Sequence, residues 1–220
     1  MDFRRIHAEN CYKEVTTIVE SRTNELGDML KPFVECTDEY GILICRIVNI
    51  LGKQKPESML DVVMRDLTAD TFDFLFEARR SLLSGRANVA FPLVRRAFES
   101  LSLMVACKLS PQICRDWDGG KEIKNGRVRA VLDEHPLGES QANTKEMYKF
   151  FCLGTHPNRS LIAYRFLGEG NEFTLGAIAK PNLQLSLFIS SKILSLWFWL
   201  SAFVSLAYVK AILPADPKFD

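Results

Sequence analysis

The residues in this chain whose chemistry stands out are three histidines, a pair of arginines beside a glutamate, and a His-Pro turn. Arg95 and Glu99 lie four apart within the apolar run FPLVRRAFESLSLM, so on a helix they share a face and can pair. Burying either charge alone is costly. The pair therefore reads as a structural ion pair at the edge of a core, or as a charged cluster lining an internal cleft with Arg96 beside it. The segment Thr155-His156-Pro157-Asn158-Arg159 follows a helix end. The helix dipole favours a cation there, so His156 protonates readily, and with Asn158 and Arg159 it suits a phosphate or carboxylate. The same histidine equally serves as a cap on the last carbonyls. A weaker alternative is Arg129 ahead of His135, the arginine-before-histidine spacing of a metal-independent ribonuclease. There the histidine moves protons and the arginine stabilises the phosphorane charge. Ala130 departs from that pattern, which prefers a polar residue after the arginine.

Other chemistries find no footing. There is no H-E-x-x-H, no P-loop, no G-x-G-x-x-G and no G-x-S-x-G. The six cysteines include no C-x-x-C pair and fit no zinc ribbon or finger. Neither metal nor cofactor is expected. Cys45, Cys107 and Cys152 sit inside apolar stretches, which predicts buried free thiols in a reducing compartment. A formal net charge of +1 argues against a basic nucleic-acid surface covering the whole molecule. The first ten residues, MDFRRIHAEN, hold no apolar signal region, so a cytoplasmic location is expected.

With 220 residues and 47% hydrophobic composition, the chain has ample material for one core. Helical spacing of apolar residues predicts a first helix from Asp2 to Leu30, a break at Pro32, and a short helix from Glu39 to Gly52. After the linker KQKPES, Ser58 caps a long helix to Leu83. Ser84-Gly85 ends it, and a second long helix follows from Arg86 to Leu109. Two residues between them require an antiparallel pair. The stretch from Pro111 to Gln141 is less regular, with a short helix and then one or two turns over Val128 to Glu134. A further helix runs from Ser140 to Leu153 and ends at Gly154. Alternation around a Gly-Glu-Gly-Asn turn predicts a small β-hairpin near residues 162–176. The last helix, Pro181 to Leu213, is the most apolar, and residues 193–209 carry no charge. That run is at the short edge of a bilayer span, so it reads as a core helix, with a membrane anchor as the alternative. The fold expected is an all-α antiparallel bundle with a minor hairpin, organised as an N-terminal helical extension (1–55) and a bundle domain (56–213).

The run LLSGRANVAFPLVRRAFESLSLMVACKL, the Gly154-Thr155-His156-Pro157 turn and the long apolar C-terminal helix together resemble bacterial helical proteins of the HEPN-like superfamily. The resemblance covers roughly residues 58 to 213. It implies a four- or five-helix bundle, often dimeric, in which Arg95, Glu99 and His156 meet in or near a central cleft. It also implies RNA or another phosphate-bearing ligand, because the superfamily contains RNA-cleaving toxins and phage-defence nucleases beside inactive binding modules. The function expected is a binding or interaction module of a bacterial defence or stress system. Its alternative is a metal-independent endoribonuclease with His156, Arg95 and Glu99 catalytic and Arg96, Asn158 and Arg159 binding.

Overall fold

The computed structural model describes residues 3–134, 141–155 and 183–216. These form α1 (Phe3–Met29), α2 (Lys31–Gly52), α3 (Met59–Leu83), α4 (Ala87–Leu109), α5 (Pro111–Asp118), α6 (Asn125–Glu134), α7 (Gln141–Thr155) and α8 (Leu183–Ala215). No strand occurs among the described residues, which corrects the expected α-plus-hairpin architecture to an all-helical one. The hairpin segment itself, residues 162–176, lies outside the described residues. Short alternating apolar runs satisfy strand and helix periods alike, so that expectation had little to hold it.

The expected helical pair forms the centre. Ser58 caps α3 by accepting from the Asp61 amide at 3.2 Å. At the other end Gly85 takes φ 77°, with its amide bonded to Leu82 O and the Arg86 amide reaching back to Ser81 O at 2.9 Å. This is a Schellman turn, and it needs the left-handed conformation that glycine adopts without strain. It turns the chain sharply enough for α4 to run back along α3. α8 lies against α2, α3 and α4, while α5, α6 and α7 all pack on α4.

Pro32 does not break the chain. It sits in the first turn of α2, where its missing N–H breaks no helical bond, and so it starts the helix eight residues earlier than Glu39. α2 is then tied to its neighbours by two arginines. Arg65 on α3 donates to the Leu51 and Gln54 carbonyls at 2.6 and 2.9 Å, closing the C-terminal end of α2. Arg46 on α2 pairs with Asp216, just past α8, at 2.5 Å. Asp61 receives both Arg65 and the Tyr208 hydroxyl, the latter at 2.7 Å, and so joins α3 to α8. Burial works against the Asp61 charge, but the bonds from Arg65, Tyr208 and the Glu57 amide outweigh it and leave the carboxyl below its ordinary range.

One continuous core collects Leu26, Ile44, Ile47, Val63, Leu75, Leu82, Val94, Met104, Ile193, Trp197 and Leu200, each at most 3% exposed. The cysteines divide. Cys107 is buried as expected, Cys152 on α7 only partly so, and burial, with the buried Cys114 alongside, pushes the Cys107 thiol up to about 12. Cys45 is exposed on α2, as is Cys36, because the apolar stretch around Cys45 turns its buried face through Ile44 and Ile47. The 193–209 segment belongs to a helix long and apolar enough to cross a membrane. A third of its most apolar window is buried in the bundle, consistent with a helix of a soluble core.

Candidate functional site

The Arg95–Glu99 pair forms on α4, with Arg95 Nε donating to Glu99 Oε1 at 2.9 Å. Both side chains are mostly buried, at 21% and 17% exposure. Arg95 Nη2 also donates to the Tyr148 hydroxyl on α7 at 2.6 Å, and its guanidinium lies 4.7 Å from that ring's centroid. Arg129 on α6 meets the same ring at 5.3 Å. Tyr148 thus brings together two arginines that the sequence placed in separate constellations. Burial disfavours the Arg95 charge, and the Glu99 carboxylate more than offsets it.

Glu99 is the hub of the cluster. Besides Arg95 it accepts from Asn125 Nδ2 at 3.1 Å, and Arg96 approaches its second oxygen at 4.0 Å. Arg96 leans over the Phe74 ring, 5.6 Å from its centroid. Its exposed head and Glu99 both reach a cleft of about 530 Å³ between α3, α4 and the α5–α6 turn. Asp66 and Asp70, one turn apart on α3, form its opposite polar wall. The Ser100 hydroxyl donates to Asp70 across the helix pair and fixes that carboxylate. Lys121, Glu122 and Asn125 close one end, while Leu67, Leu103, Trp117, Ile123 and Val128 provide an apolar floor.

The α5–α6 turn is held by Asp116. Gly120, at φ 75°, closes α5 with a second Schellman turn, in which the Lys121 amide bonds to Asp116 O at 2.9 Å. The Asp116 carboxylate then accepts from Lys121 Nζ at 2.9 Å, Arg127 Nη1 at 2.7 Å and Gln112 Nε2 at 2.9 Å. The Lys121 and Arg127 bonds hold it well below the usual range, at about 2. Lys121 is therefore committed to Asp116 as Glu99 is to Arg95, and the carboxylates Asp66, Asp70 and Glu122 still outnumber Arg96 along the lining.

Of the site residues expected from the sequence, Glu99 and Arg96 line the cleft, Arg95 stands behind Glu99, and Arg129 joins through Tyr148. His156, Asn158, Arg159 and His135 lie outside the described residues. Sequence reasoning missed Asp66, Asp70, Ser100, Trp117, Asn125 and Tyr148. The one local signal was the i,i+4 spacing of Asp66 and Asp70 on α3.

Among the described residues, fold and site together define a helical bundle with an acid-rich polar cleft beside its central helix pair. Comparison with protein-family models, with curated proteins and with solved structures finds no match.

Proposed function

We propose that this protein is a helical binding module of HEPN-like type, whose α3–α4–α5 cleft holds a small ligand bearing a positively charged amine or guanidinium. The observation that carries this reading is the lining. Asp66, Asp70 and Glu99 converge on one space, two of them already oriented by Ser100, Asn125 and Arg95. Orientation before binding lowers the ordering cost of a ligand. The Trp117 face and the leucines beside it suit the apolar part of such a molecule. A phosphodiester would meet carboxylates of its own sign along most of the wall, which favours a cation over the phosphate implied by the sequence.

A thermal-shift titration of the full chain with spermidine and, separately, with adenosine monophosphate tests this. A ligand that binds only the folded state raises Tm with its concentration. Spermidine raises Tm for the wild type and loses that effect in an Asp66→Asn/Asp70→Asn variant. A rise with the nucleotide and none with spermidine overturns the reading. Cleavage of RNA in EDTA that disappears with His156→Ala would replace it with the metal-independent ribonuclease.

A further inference from the structure

Arg96 sets one end of the cleft apart. Every other charge in the lining is a carboxylate or, like Lys121, is bound to one. Arg96 stays more than half exposed and reaches Glu99 only at 4.0 Å, beyond hydrogen-bond distance. At the far end Asp66 forms no hydrogen bond or ion pair among the described residues. The Asp70–Ser100 bond fixes the register of the antiparallel α3–α4 pair. At a rise of about 1.5 Å per residue, Asp66 stands about 6 Å from Asp70 toward one end, and Arg96 about 6 Å from Ser100 toward the other. The Arg96 guanidinium over the Phe74 ring agrees with that register. An ammonium lying between Asp66 and Asp70 is then about 9 Å from Arg96 along the helices. Two neutral groups in the same lining are also uncommitted. The Trp117 indole N–H has no acceptor among the described residues. Asn125 commits Nδ2 to Glu99, which leaves Oδ1 as an acceptor. One donor and one acceptor are the counterparts of a peptide group's C=O and N–H.

We propose that the ligand of this cleft is a short peptide held by both of its termini. This rests on the amine-binding reading above and names the molecule that carries the amine. The N-terminal ammonium lies between Asp66 and Asp70, and the C-terminal carboxylate pairs with Arg96, whose planar guanidinium presents paired donors to such a group. An extended chain spans roughly 3.3–3.6 Å per residue, so about three residues match the separation of the two ends and a free amino acid falls short of it. A linear polyamine satisfies the acidic end and leaves Arg96 facing a cation. A nucleotide satisfies Arg96 and faces carboxylates along the rest of the wall. A zwitterion of the right length answers both ends. The middle of the peptide supplies the C=O and N–H that Trp117 and Asn125 leave unanswered, and its apolar side chains suit Leu67, Leu103 and Trp117. The volume of about 530 Å³ lies within the range of small-ligand sites.

Isothermal titration calorimetry of the full chain compares leucyl-glycyl-leucine with its C-terminal amide, its N-acetyl form and free leucine. The wild type binds the tripeptide about tenfold more tightly than the amide, the difference expected of one charge-assisted pair. It binds the N-acetyl form and leucine more weakly still. Arg96→Gln, a change at an exposed position with unchanged helical circular dichroism, closes the gap between tripeptide and amide. Equal affinity for those two in the wild type, or a gap that survives Arg96→Gln, overturns the inference and leaves the amine-binding reading standing, since the amide keeps the ammonium. Binding of leucine or of the N-acetyl form as tight as that of the tripeptide overturns it too, through the span in one case and the ammonium in the other. So does a tripeptide that gives no heat where spermidine still binds. If tripeptide, amide and spermidine all fail to bind, the amine-binding reading falls and the inference with it.

Discussion

Asp116 gathers Gln112, Lys121 and Arg127 around one carboxylate on an eight-residue helix, and the cleft wall depends on it. Its pKa of about 2 lies below the ordinary 3.8. Folding therefore favours the ionised form. The stability it contributes is fully present above about pH 4 and is lost as pH falls through about 2. An Asp116→Asn variant is accordingly expected to show a flatter decline in stability between pH 4 and pH 2 than the wild type, read from urea midpoints across that range. Tyr148→Phe makes a second expectation. It keeps the ring that Arg95 and Arg129 approach and removes the acceptor that Arg95 Nη2 uses, so it costs about 1 kcal/mol in chemical denaturation. At this scale the Arg95–Glu99 pair was readable because both partners sit on one helix at a fixed spacing. Asp70–Ser100, Glu99–Asn125 and Arg95–Tyr148 were not, because each joins different helices, and periodicity carries no register between helices.

Elements here are delimited by a few residues with a physical reason to stand where they do. Ser58 before α3 and Ser84-Gly85 after it were readable as signals, and the Ser58 and Gly85 hydrogen bonds show why. Pro32 was misread because proline both interrupts helices and begins them. Only the flanking turn decides between the two, and here it begins α2. The second Schellman turn, at Gly120, was visible only as a Gly-Gly pair, yet it orients Lys121 toward Asp116. A Cβ at position 120 would meet nothing within 4 Å, so Gly120→Ala isolates the backbone cost of a left-handed residue. That cost is about 1 kcal/mol. The expected result is a lower urea midpoint with an unchanged slope, since the surface exposed on unfolding stays the same.

Across the whole molecule, α8 decides how the bundle ends. The sequence showed its length and its apolar character but could not separate the face that completes the core from the face that looks outward, since both are apolar. Packing against α2, α3 and α4 makes that distinction. Ile193 is fully buried, and Leu206, thirteen residues on, is the most exposed large apolar side chain among the described residues. Truncating each tests whether the two faces do different work. Ile193→Ala opens a cavity in the core and costs about 2–5 kcal/mol. Leu206→Ala removes a side chain that the core does not enclose, so its stability stays within about 0.5 kcal/mol of the wild type. Urea melts of the two variants therefore separate the core face from the outward one. A Leu206→Ala deficit as large as that of Ile193→Ala would assign the outward face to the packed core.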